Sequence, residues 1–307
     1  MHVPVLLNET VEELGIKEGK TYIDGTVGDG GHAVKILERA GSRGRLLGID
    51  RDGQTLPRAA ERLSQVGGWY RLEQGDYADM QALALRHGIE QADGILLDLG
   101  MSSEQVDDPS RGFSFQQDGP LDMRMDRTQT LTAADLLEQL DEAALAEMLR
   151  QLGEEPAARR IARRIVEARG RGPLRTTGQL AELVARAKGG RRGRIHPATQ
   201  TFQALRIAVN RELESLDRAL VVAPVMLAPG GRLAVISFHR LEDRRVKAAM
   251  ARHVGRWESL PAGGRRWVGE RPVFRWITRK PIVCSPEERR ANPRARSAKL
   301  RVAERME

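Results

Sequence analysis

At 307 residues, with 40% hydrophobic and 30% charged residues and its 31 Gly and 14 Pro widely spread, the chain can bury a sizeable core and does not have a disordered composition. No apolar run approaches the roughly 20 residues of a membrane span, and the first residues lack the basic and apolar regions of a secretory signal, so cytoplasm is the expected compartment. The single cysteine, Cys284, excludes an intrachain disulfide and a thiolate metal cluster.

Over the first hundred residues, short apolar runs alternate with amphipathic stretches, the pattern of βαβ units in a parallel sheet. The expected strands are Thr21 to Ile23, Arg45 to Ile49, Tyr70 to Glu73 and Gly94 to Leu97. From about Glu104 to Leu205 the signals are those of helices. Thr132 and Asp141 are expected N-caps, Pro156 opens an Arg-rich helix that Gly170 closes, and Thr177 caps the next. A long amphipathic helix over 199–222 then leads through Pro229-Gly230-Gly231 into the apolar strand Leu233 to Ile236. Strand-like runs at Val273 to Ile277 and Lys299 to Ala303, separated by the polar stretch Ser285 to Arg296, suit an antiparallel sheet edge. The fold class expected is α/β: a doubly wound, Rossmann-like sheet formed by 1–104 and 206–307, interrupted by an all-helical insert at 105–205.

The net charge is +8, with a pI near 10.1. Between Arg159 and Arg194, eleven Arg and one Lys face only Glu167 and Glu182, a local net of +10 that leaves the rest of the chain slightly acidic. So few interspersed acids point to a nucleic-acid partner, although solvated helix faces also carry charge runs. The spacing of Arg159, Arg160, Arg163 and Arg164 places at least part of this set on one helix face.

Asp24-Gly25-Thr26-Val27-Gly28-Asp29-Gly30-Gly31-His32 follows the first strand and opens a helix, where glycines allow a close backbone approach and free N–H groups can receive an anion. A glycine-rich turn alone is a weak signal. Here Asp50 ends the second strand, Gly75-Asp76-Tyr77 the third and Asp98 the fourth. Ligands of open α/β sheets bind at that edge. Acids and a ring on successive strand ends suit the carboxylate, ribose and adenine of S-adenosylmethionine, and the spacing is not the G-x-G-x-x-G of dinucleotide binders.

With these residues the sequence closely resembles the bacterial 16S ribosomal RNA cytosine-N4 methyltransferase family. The blocks that carry the resemblance are His2-Val3-Pro4-Val5-Leu6-Leu7, Asp24-Gly25-Thr26 with Gly30-Gly31-His32, Gly48-Ile49-Asp50-Arg51-Asp52 and Gly94 to Gly100 with Ser102-Ser103. Further along they are Arg111 to Phe115, Gly119-Pro120-Leu121-Asp122-Met123-Arg124-Met125, His196-Pro197-Ala198-Thr199, Ile236-Ser237-Phe238-His239 and Asn292 to Ser297. The resemblance implies that Gly30, Gly31, His32, Asp50, Tyr77, Asp98 and Gln105 contact the cofactor. It also implies that the helical insert helps to recognise ribosomal RNA within the small subunit, where one cytidine near the decoding centre is methylated at N4. Tyr77 stands where Phe is frequent in the family, and Arg240 where Ser is usual.

Cytosine N4 is a poor nucleophile, so a hydrogen-bond acceptor beside it would help. Asp98 is the candidate, with a cofactor contact only as the alternative role. It lacks the Asp-Pro-Pro-aromatic context of DNA amino-methyltransferases, so any ring that stacks on an extruded base must come from elsewhere, with Phe113, Phe115 and Phe238 as candidates. His196 and His239 are candidates for phosphate or base contacts. No zinc-ligand spacing is present, and no catalytic metal is expected. A homodimer stays open, as do a nicotinamide-dependent oxidoreductase on the same sheet and a non-catalytic assembly factor, although intact Asp50 and Asp98 argue against the last.

Overall fold

A computed structural model describes residues 4–190, 196–261, 263–268 and 273–307. The chain divides into two compact units, Met1–Gly100 with Leu213–Glu307, and Met101–Glu212.

The first unit is built on a seven-stranded sheet. Its parallel strands are β1 (Thr21–Asp24), β2 (Arg45–Asp50), β3 (Trp69–Gln74), β4 (Ala92–Asp98) and β5 (Leu227–Ser237). After a separate hairpin of β6 (Arg256–Ser259) and β7 (Arg265–Val268), β8 (Phe274–Trp276) and β9 (Lys299–Arg305) complete it as an antiparallel edge in the order β3-β2-β1-β4-β5-β9-β8. The apolar runs are continuous because both faces of the sheet are covered. Tyr22, Leu46, Leu96, Ala234 and Ile236 point into one core, whereas Ile23, Leu47, Ile95, Leu97, Leu233 and Val235 point into the other. The covering helices are α1 (Leu7–Glu13), α2 (Gly31–Ala40), α3 (Leu56–Val66) and α4 (Met80–Arg86), with α11, α12 and α13 from the later part of the chain. In α2 the buried residues His32, Ala33, Ile36, Leu37 and Ala40 repeat at helical spacing. The doubly wound α/β fold expected is therefore the fold observed.

The second unit is helical: α5 (Ser103–Asp107), α6 (Ala133–Gln139), α7 (Glu142–Gly153), α8 (Ala158–Arg169), α9 (Thr177–Ala187) and α10 (Thr199–Asn210). Thr132 caps α6 and Asp141 caps α7 by accepting the N–H of Asp135 and Ala144, each such cap being worth about 1 kcal/mol. Leu145, Leu149, Ile161, Ile165, Leu180, Val184, Phe202 and Leu205 form its core.

Three expectations need correction. The helix expected over 199–222 is two helices, α10 and α11 (Glu212–Met226), because Arg211 adopts a left-handed conformation at φ 50°. Thr176 rather than Thr177 caps α9, because the capping box pairs Thr176 with Gln179 three residues on. The polar stretch 285–296 is not plain connection: it holds α13 (Pro286–Ala291), capped by Ser285, and a following 3-10 turn. The last helix of the set is α12 (Arg240–Val254).

Candidate functional site

The loop between β1 and α2 is fixed from three sides. Gly25 N–H donates to Leu96 O and Val27 N–H to Ile49 O, both at 2.9 Å, and Gly28 N–H donates to the Asp50 carboxylate at 2.8 Å. Gly30, the N-cap of α2, sits at φ 82° and offers no side-chain cap, which leaves the first-turn amides available to an anion. A Cβ on Gly31 would lie 2.3 Å from Pro4 Cγ, so the N-terminal block presses on the glycine loop. His32 Nε2 lies 3.2 Å from Val5 O and extends that brace.

Three acids cluster at the strand ends. Asp50 accepts from Gly28 N–H and, through its other oxygen, from Asp52 N–H at 2.8 Å, and burial still raises its pKa to about 6. Asp98 accepts from Gly100 N–H at 3.2 Å, and burial, with Glu242 acting in the same direction, lifts its carboxyl to about 7. Asp24 directs one oxygen to Thr26 N–H at 3.1 Å; its Oδ2 is buried without a hydrogen-bond partner, and burial reinforced by Asp98 and Asp50 raises it to about 7. Burial lowers His32 to about 4, so its imidazole is neutral at physiological pH. With Nε2–H donated to Val5 O, Nδ1 presents a lone pair to Asp98 Oδ2 at 3.7 Å, which makes no ion pair.

Tyr77 is buried in the sheet core, and the Arg51 guanidinium lies 5.8 Å from its ring centroid. Arg51 also reaches Asp76 and Ser215. Burial pushes the Asp76 carboxyl up, but Arg51, Ser215 and the Ala78 N–H outweigh it and hold the group below its usual range. Phe238 packs its ring over Gly100, where a Cβ would come within 2.8 Å of it. His239 is the N-cap of α12: Nδ1 accepts from Glu242 N–H at 3.4 Å, while Glu242 Oε2 accepts from Phe238 N–H at 2.7 Å and His239 N–H at 3.2 Å. His-x-x-Glu here is a capping box with His in the usual Ser or Thr place. Arg240 is exposed.

The other predicted residues lie in the helical unit. Gln105 is buried and its Oε1 accepts from Ser102 N–H at 3.1 Å in the capping box of α5. Phe113 is buried in the helical core. Phe115 is half-buried, 4.5 Å from the His196 ring and 4.7 Å from the Phe202 ring between centroids. His196 Nδ1 accepts from Ala198 N–H at 3.2 Å. On α8, Arg159, Arg160, Arg163 and Arg164 are all exposed, opposite a buried face of Ala158, Ile161, Ala162 and Ile165. Other members of the basic run have structural work. Arg169 donates to the carbonyls of Leu137, Glu138 and Leu140, and Lys188 pairs with buried Glu155 at 2.8 Å. Arg191, Arg192 and Arg194, like His2 and Val3, lie outside the described residues.

Residues 1–306 match the model of the MraW methylase family. The chain belongs to that family. It is 48% identical over 307 residues to ribosomal RNA small subunit methyltransferase H of Trichlorobacter lovleyi, covering 99% of this chain and 98% of that protein. It is 49% identical over 302 residues to the protein of the same name from Symbiobacterium thermophilum, covering 98% and 95%. It is also similar to a solved rRNA methylase from Streptococcus thermophilus, at 10% identity and a TM-score of 0.42, with 98% of this chain and 94% of that chain covered.

This MraW-family protein is an S-adenosylmethionine-dependent methyltransferase. Its residues fit that methyl donor. Uncapped amides suit the donor's carboxylate, Asp50 keeps lone pairs for hydroxyls, and an orphaned buried carboxylate oxygen on Asp24 suits a cation. Sequence reasoning placed Asp24 in the motif but gave it no role. It missed Arg51, Ser215 and Glu242 altogether, and only Glu242 had a local signal, three residues after His239.

Proposed function

We propose that this methyltransferase acts on N4 of a cytidine in 16S ribosomal RNA near the decoding centre of the small subunit. The relatives' shared name supplies the coarser class, methylation of small-subunit ribosomal RNA. The finer target rests on the motif blocks. The observation that carries the chemistry is Asp98, a buried carboxyl at the end of β4 with a pKa raised to about 7 and no ion-pair partner in His32. A group poised there accepts a hydrogen bond from an amino group at neutral pH.

S-adenosylmethionine supplies an activated methyl on sulfur, so the protein chiefly has to align N4 with it. In this reading the α2 amides at Gly30, Gly31 and His32 hold the donor's carboxylate, Asp50 its ribose, and Tyr77, steadied by Arg51, its adenine. Gln105 completes the cofactor set from the helical unit. Phe115, paired with His196, is the ring best exposed to stack on an extruded base; Phe113 is committed to the core, and Phe238 and His239 shape the α12 entrance. Arg159, Arg160, Arg163 and Arg164 contact the RNA backbone. The test is incubation of unmethylated small subunits with the protein and S-adenosylmethionine, followed by nucleoside mass spectrometry. N4-methylcytidine is expected, and methylation of a ring carbon or a ribose instead would overturn the reading.

A further inference from the structure

We infer that Asp24 binds the cationic amino group of S-adenosylmethionine and releases a proton as it does so, which couples donor uptake to pH. This rests on the methyl-donor reading above.

Asp24 is 1% exposed, and its Oδ2 has no hydrogen-bond partner. An orphaned buried oxygen costs about 1–3 kcal/mol, an expense that a fold retains where a ligand relieves it. The loop that follows runs from this carboxyl to the first turn of α2. The donor's carboxylate and amino group share one carbon, so an amino-acid end whose carboxylate sits on the α2 amides brings its ammonium to the other end of the same loop.

The groups acting on Asp24 are the carboxyls of Asp98 from β4 and Asp50 from β2, while His32 on α2 is neutral. No internal cation answers Asp24, whose carboxyl, at about 7, is largely protonated below neutrality. An entering ammonium supplies the missing charge and favours the carboxylate, so the proton passes to solvent. A purely structural Asp24, bound only to Thr26, would keep its proton whatever entered.

Calorimetry in phosphate and Tris counts the protons. At about pH 6 the full-length protein should release protons on binding S-adenosylmethionine, and the number should fall toward zero at about pH 8.5. Asp24→Asn should release about one fewer at the lower pH, and its affinity should rise less steeply with pH by about tenfold per unit. Two probes keep the test open should that variant misfold. S-adenosylhomocysteine, which keeps the ammonium but has a neutral sulfur, should release as many protons as the donor. 5′-Methylthioadenosine, which keeps the ribose but lacks the amino-acid end, should release about one fewer. Equal proton release with all three ligands overturns the inference, as does a variant that matches the parent. If S-adenosylmethionine does not bind at all, the methyl-donor reading falls instead.

Discussion

In the sheet unit, Asp24, Asp50 and Asp98 are buried at strand ends, whereas in the helical unit Arg159, Arg160, Arg163 and Arg164 stand exposed on α8. The same kind of group, a formal charge, therefore does different work in the two places. Burial penalises the ionised carboxylates and makes each one sensitive to a single hydrogen bond or an approaching cation. The exposed arginines keep their charge, and each contributes a small, salt-screened share of any long-range attraction. Substitutions in the first unit should thus show as changes in rate, affinity and pH dependence. In the second they should show as changes in salt dependence or in packing.

The largest effect is expected at Asp98. If it accepts a hydrogen bond from N4, Asp98→Asn should slow single-turnover methyl transfer by about a hundredfold with both substrates saturating. The parent rate should climb as pH rises through about 7, because only the ionised form accepts, and the variant should lose that rise. A loss confined to cofactor affinity would assign Asp98 to donor binding alone. Asp50→Ala comes next. It removes an acceptor that holds Gly28 and Asp52 as well as the proposed ribose contact, so donor affinity by calorimetry should fall by about 30- to 100-fold.

The sign of the pH effect on folding follows from the same burial. Acids whose pKa is raised in the native state stabilise it when protonated, fully so below the unfolded value of about 4. That contribution is lost as pH rises through about 6 for Asp50 and about 7 for Asp24 and Asp98. Without cofactor, Asp24→Asn should gain in melting temperature relative to the parent between about pH 5 and pH 8, and scanning calorimetry across that range checks it.

The parallel strands were legible because residues buried on both faces leave unbroken apolar runs, and the strand-end acids followed from the strands. The glycine loop was legible because its residue types serve the turn directly. Contacts between distant segments were not. Pro4 against Gly31, and Arg51 reaching Ser215, join segments whose pairing no local periodicity encodes. The break at Arg211 was hidden because Arg is a good helix former, and the left-handed turn is held by tertiary contacts. The arginine run was visible as charge but not as roles, since spacing cannot separate Arg169, which caps carbonyls, from Arg160, which faces water.

Within the helical unit, the Gly119-to-Met125 block was legible as a motif but not as a structure. Met123 is buried at φ 61°, a conformation costing roughly 1–3 kcal/mol for a residue with a side chain. Asn210 holds it there, donating to Met123 O and accepting from Met125 N–H, both at 2.7 Å. Asn210→Ala should destabilise the protein by about 2 kcal/mol in urea unfolding. An unchanged midpoint would show that the loop does not depend on this clamp.

The smallest effect per residue is expected from α8, and it separates the two units most cleanly. Arg163 lies 3.6 Å from Glu142 and Arg164 2.7 Å from Glu167, but exposed pairs of this kind are worth less than about 1 kcal/mol, so they leave both guanidinium groups able to turn to phosphate. The apolar face of Ile161 and Ile165 holds the helix in place without them. Replacing Arg159, Arg160, Arg163 and Arg164 together by Gln should therefore preserve folding and donor affinity while weakening binding to small-subunit RNA by about tenfold at physiological salt. The slope of log affinity against log salt should flatten by about 0.7 to 0.9 for each phosphate that the variant no longer neutralises. A variant that binds RNA with the parent's affinity and slope would mean that these arginines serve only to solvate α8.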